Sequence, residues 1–126
     1  DITCSLGEVR AAIELKCFRK VSKRAVDIDM YNVLKDIERL QAYEEFGIRK
    51  FICLTDYSFY SKADHKGHAG SVSIKDGVSY KKGKPIKPSW IGRWKLKNRV
   101  TPIRLTQNIS FKWINKEGWY YIKLDI

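Results

Sequence analysis

The chain has 126 residues, and 44% of them are apolar, enough for a hydrophobic core and too many for a disordered segment. No apolar run approaches the roughly 18 residues of a membrane span, and the first residues lack the basic-then-apolar shape of a signal peptide. The formal net charge is +11, from 25 Lys and Arg against 14 Asp and Glu, which points to a polyanionic partner: nucleic acid first, an anionic membrane second.

The sequence opens on Asp1 with no initiator Met, so a processed or partial chain with structure upstream is expected. The length suits one domain. Cys4, Cys17 and Cys53 lie in apolar, strand-like stretches, odd in number and without metal-type spacing. They are expected to be buried free thiols in a reducing cytoplasm.

Residues 2–5 read as a short strand and Leu6-Gly7 as a turn. Residues 10–18 read as the buried return strand. Folding this hairpin about Gly7 sets Asp1 opposite Glu14. A basic connection over 19–24 leads to a helix over 28–46, with Asp27 or Asp29 as its cap and Gly47 as its stop. Met30, Val33, Leu34, Ile37, Leu40 and Tyr43 form its apolar stripe. Asp36 and Arg39 read as a pair on its solvated side. Residues 49–55 follow as a buried strand. Strand, helix and apolar strand in sequence predict a crossover with the two strands parallel.

Beyond Thr55 the chain turns basic and β-rich. Residues 60–70 read as a mobile polar loop. Here Asp64, His65 and His68 are too few for a metal site, and Asp56 reads as a turn or cap residue. Residues 71–75 and 78–81 flank Asp76-Gly77 as a hairpin. Strand-like fragments fall at 91–96 and 100–105. A second hairpin joins 109–114 to 119–126 across 115–118, with Phe111, Trp113, Tyr120 and Ile122 facing the core.

Chemistry concentrates at residues 10–18. Residues two apart on a strand share a face, so Glu14 and Lys16 point one way while Ile13, Leu15 and Cys17 point the other. An acid and a base on a core strand are costly unless they pair or bind something. An inert Glu–Lys pair on an edge strand is one outcome. The other is a site. Hydrolysing a phosphodiester needs a neutralised phosphate, an activated water and a stabilised leaving oxygen. Carboxylate-held Mg²⁺ or Mn²⁺ with a nearby Lys supplies these. Asp1 and Glu14 offer carboxylates, the Leu15 backbone carbonyl a further oxygen, and Lys16 the base or charge stabiliser.

Asp1-Ile2, then Ala12-Ile13-Glu14-Leu15-Lys16, then a helix and an apolar strand, resembles the PD-(D/E)xK nuclease superfamily, which includes restriction endonucleases and archaeal-type Holliday-junction resolvases. The resemblance spans residues 1–57. It implies an α/β fold, a mixed sheet flanked by helices with a restriction-endonuclease-like core, to which residues 58–126 add C-terminal β-hairpins. It implies metal binding by Asp1 and Glu14 and a catalytic role for Lys16. It implies a homodimer as an allowed state. The helix and strand that precede the Asp in that superfamily are not in this sequence.

Nine Lys or Arg and no acid fall between Lys81 and Arg104. Lys81, Lys82, Lys84, Lys87, Arg93, Lys95 and Lys97, with Lys20 from the first connection, are the expected nucleic-acid contacts. Tyr80, Trp90 and Trp94 are interleaved for stacking or for the core. The reading is a Mg²⁺- or Mn²⁺-dependent endonuclease acting on nucleic acid, DNA before RNA. Its rivals are a binding module without catalysis and an interaction domain for an acidic protein.

Overall fold

The structure is a computed structural model and describes residues 1–89 and 101–126. Strands β1 (Ile2–Leu6) and β2 (Val9–Phe18) form the opening hairpin. A 3₁₀ turn (Lys20–Ser22) leads to helix α1 (Val26–Ala42), and β3 (Ile48–Thr55) follows. A second 3₁₀ turn (Ala69–Val72) precedes β4 (Ser79–Tyr80), β5 (Ile109–Ser110), β6 (Ile114–Lys116) and β7 (Trp119–Asp125). The main sheet has the order β1-β2-β3-β7-β6, and β4 and β5 form a small separate sheet. β2 and β3 are parallel and every other pairing is antiparallel, so the fold is α/β with a mixed sheet and the expected β2–α1–β3 crossover. The C-terminal β7 lies within the main sheet, between β3 and β6.

One face of the sheet carries the core. Ala12, Phe18, Phe51, Cys53, Ile122 and Leu124 alternate inward and meet Met30, Val33, Leu34, Ile37 and Leu40 of α1. The far side of α1 is covered too. Thr106 donates its backbone N–H to Gln41 Oε1 at 2.7 Å, and Tyr31 donates its hydroxyl to the Thr101 carbonyl at 3.0 Å. Ile103, Leu105 and Phe111, all buried, complete that layer.

Five expectations need correction. β2 is buried on one face only: Leu15 is 50% exposed, and Cys17 and Cys4 are exposed, which leaves Cys53 as the buried thiol. The helix starts at Val26 after Ala25, since Asp29 is drawn into other contacts, and it ends at Ala42, short of Gly47. Residues 71–80 form no hairpin. Asp76-Gly77 does turn, but Gly77 donates to the Phe111 carbonyl and β4 pairs with β5 instead. The strand expected over 109–114 is divided between β5 and β6, which lie in different sheets. Tyr60, expected in a mobile loop, is buried and stacked on Phe18 with ring centroids 4.8 Å apart. The last hairpin does form. Glu117 and Gly118 both take positive φ, as a two-residue turn between β6 and β7 requires.

Candidate functional site

The β1–β2 register sets the site. Ile2 pairs with Ile13, which leaves Asp1 opposite Glu14, as the hairpin pattern predicts. Glu14 follows Ala12 on the inward face of β2, and a side chain as small as Ala12 lets α1 approach closely there. Asp36 and Arg39, one helical turn apart, come down from α1 onto the same spot.

Five charged groups interlock. Lys16 Nζ lies 2.8 Å from Glu14 Oε1 and 2.8 Å from Asp36 Oδ2. Arg39 Nη2 lies 3.0 Å from Glu14 Oε2, 3.0 Å from Asp1 Oδ1 and 2.9 Å from Asp36 Oδ1. The Glu14 side chain is 5% exposed, whereas that of Arg39 is 44% exposed. Burial of a carboxylate to this degree is sustained only because two cations face it. Three side-chain carboxylates face two side-chain cations in the cluster.

Asp1, Glu14 and Lys16 are therefore brought together on one side of the sheet. The Leu15 side chain points to the opposite, open face, so only its main chain could serve the site. Asp36 and Arg39, expected as a solvated pair, belong instead to the cluster, where the Asp36 side chain is largely buried. The signal was present: Asp36 stands three residues after Val33 and four before Leu40, inside the apolar stripe. A carboxylate at a core position of an amphipathic helix needs a partner.

Carboxylate oxygens suit a hard divalent cation. As the side chains stand, no group of three His, Cys, Asp or Glu among the described residues is arranged to hold a metal, and Arg39 Nη2 occupies the point on which three carboxylates converge.

The basic residues lie elsewhere. Lys81, Lys82, Lys84 and Lys87 are all exposed. Lys81, Lys84 and Lys87 line an open cavity of about 440 Å³ together with Ser79 and Tyr80. Lys20 gives its backbone N–H to Asp56, and its ammonium sits 5.8 Å from the centre of the Tyr57 ring. Asp56 also accepts from Arg19 at 2.7 Å, and these two bonds hold its carboxyl below the usual range. Arg93, Lys95, Lys97, Trp90, Trp94 and the strand expected over 91–96 lie outside the described residues. His65 and His68 each meet a serine hydroxyl, Ser73 and Ser89, and Asp64 pairs with Lys75.

No family model matches the chain, and neither a curated protein nor a solved structure matches it. Among the described residues, no helix is long and apolar enough to cross a membrane.

Proposed function

We propose that this chain is a metal-dependent, nuclease-like phosphodiesterase of the PD-(D/E)xK type, acting on nucleic acid, DNA before RNA, in the cytoplasm. The observation that carries this reading is the meeting of Asp1, Glu14 and Asp36 with Lys16 on a parallel strand–helix–strand unit. Asp1, Glu14 and Asp36 would hold Mg²⁺ or Mn²⁺, with the Leu15 carbonyl as a further oxygen. The bound cation neutralises the phosphate and lowers the pKa of a water. Lys16, 2.8 Å from both Glu14 and Asp36, would donate to the attacking water or to the oxygen on which charge develops. Lys20 and the lysines at 81, 82, 84 and 87 would grip the phosphodiester backbone, with Arg93, Lys95 and Lys97 as further contacts. A homodimer is the oligomeric state carried over from the resemblance.

The test is nicking of supercoiled DNA by the full-length parent protein with Mg²⁺ or Mn²⁺. Lys16→Ala should lose about 100-fold or more of the cleavage rate while still retarding DNA in a gel. Cleavage at an unchanged rate in Lys16→Ala would remove Lys16 from the chemistry. A second reading, a binding module without catalysis, is favoured by one observation: the cation position is filled by the protein's own Arg39. That reading expects DNA binding indifferent to metal and no cleavage by the intact protein.

A further inference from the structure

We infer that the face of the main sheet turned away from α1 is the interface of a homodimer, covered by the same face of a second copy of this chain, whatever the chemistry at Glu14.

The opening hairpin is amphipathic in reverse. Positions turned towards α1 carry Thr3, Ser5, Arg10, Glu14 and Lys16. No outward position on β1 or β2, from Ile2 and Leu6 to Val9, Ile13 and Leu15, carries a charge. The strand register continues this apolar surface through Ile48 and Leu54 of β3 to Tyr121 of β7 and Ile114 of β6. Among the described residues, the exposed large apolar side chains other than Val21 and Phe59 all lie on this one face. On the strands, charge enters it only from β3, β7 and β6, as Lys50 paired with Asp125 and as Lys116 and Lys123.

Size and charge select the occupant. Five strands make a face roughly 20 Å wide and, over the length of β3, about 25 Å tall. A helix with its side chains is about 10–12 Å across and covers half of that width. A second sheet, packed about 10 Å away, covers it in one step. The outline of about 500 Å², larger as accessible surface, is at the upper end of what a monomer leaves open and approaches the roughly 800 Å² that each partner of an ordinary interface buries. An acidic partner needs cations that β1 and β2 lack. Two copies at +11 repel each other except through a surface without net charge, and the β1–β2 side is such a surface. An isologous contact centred on β2 and β3 buries the uncharged part of each face and lets Lys116 and Lys123 reach water at the rim.

The experiment is sedimentation of the full-length protein at about 10 µM, a concentration that suits an interface of this size. It is run in about 0.5 M salt, where phosphate contacts are weak and nucleic acid does not bridge two copies. The wild type should be a dimer, and the double variant Val9→Lys, Leu15→Lys a monomer with unchanged circular dichroism. Thiol chemistry reads the face directly. Cys4 and Cys17 are exposed and lie on it, while Cys53 is buried and its thiol is pushed up to about 12, so a maleimide near neutral pH reports the first two. Both should react about tenfold more slowly in the wild type than in the lysine variant, because reaction needs an accessible thiolate. A wild-type monomer with both thiols reactive overturns the inference. A wild-type monomer with both thiols protected gives the face to another part of the same chain and overturns the second copy. A dimer that survives the two lysines has its interface elsewhere and overturns it as well. If the lysine variant does not fold, the wild type still decides: a dimer whose Cys4 and Cys17 react as fast as in the urea-unfolded chain overturns this face as the interface.

Discussion

The Asp29 carboxylate, 3% exposed, resembles Glu14 in burial and differs in its partners. Arg24 grips it with two nitrogens at 2.8 and 2.7 Å, and Tyr60 donates its hydroxyl at 2.6 Å. Both carboxylate oxygens of Asp29 are met by donors of their own, whereas Glu14 and Asp36 share Lys16 and Arg39 between them. Burial, and then the bond to Asp29, push the Tyr60 phenol above its ordinary value. Burial alone pushes Tyr80 up to about 12, and burial pushes Cys53 up to about 12. In the unfolded chain these groups lose their protons near the ordinary values of 9.0 for Cys and 10.0 for Tyr, while the fold retains them. Unfolding therefore releases protons in this window, and stability falls as pH rises from about 9 towards 12. Tyr60→Phe keeps the stack on Phe18 and removes the bond to a charged acceptor. It should cost about 1.5–3 kcal/mol at pH 7 and flatten the decline above pH 10. Urea unfolding at pH 7, 9 and 10.5 measures both, and an unchanged alkaline decline would assign it to other groups.

Helix α1 shows how a local rule yields to a distant partner. Gly47 offers an ordinary stop, yet the helix closes at Ala42. Arg49 reaches back from β3 and donates Nη1 to the Leu40 and Gln41 carbonyls at 3.2 and 2.7 Å, sharing the first with the Tyr43 backbone N–H and capping the last turn. Arg49→Met should cost about 1 kcal/mol, the usual net worth of such bonds. Amide exchange should then speed up over residues 40–46 and stay slow over 30–37; uniform exchange along the helix would deny Arg49 its capping role. What was legible in the sequence divides along this line. The 3.6-residue stripe of α1, the period-two pattern of β2 and β3, and the hairpin register that sets Asp1 against Glu14 are local patterns, and each has its counterpart in the structure. The cap by Arg49, the pairing of β4 with β5 across thirty residues, and the descent of Asp36 and Arg39 onto β2 depend on tertiary contacts. Asp76 makes the same point: its Oδ1 accepts the Trp113 backbone N–H at 2.8 Å, tying the turn to a distant segment rather than to its own hairpin.

At the scale of the molecule, apolar surface and charge are both unevenly placed. The helix covers one face of the sheet. The other face presents Leu6 at 85% exposed, Val9 at 56% and Leu15 at 50%, joined by Ile2, Ile48, Leu54, Ile114 and Tyr121. That single-sided cover is why a strand as apolar as β2 turns its charged residues inward: the contacts they need are on α1. Charge is divided differently. Most carboxylates lie in the first 46 residues, many of them already paired, while Lys81, Lys82, Lys84 and Lys87 stand exposed on the segment that runs past β4 with no acid in sequence between them. Phosphate contacts made by such lysines release counterions from the nucleic acid, so log affinity falls linearly with log salt, by about 0.9 for each phosphate neutralised on duplex DNA. Under the proposed function, Lys81→Ala with Lys84→Ala should lower the slope by about 2 and weaken binding alike across duplex sequences. Lys16→Ala, inside the carboxylate cluster, should leave the slope nearly unchanged. Fluorescence anisotropy on two unrelated duplexes between 50 and about 200 mM salt resolves the difference. A slope that ignores the lysine pair would move the nucleic-acid surface away from this cavity and on to other basic residues.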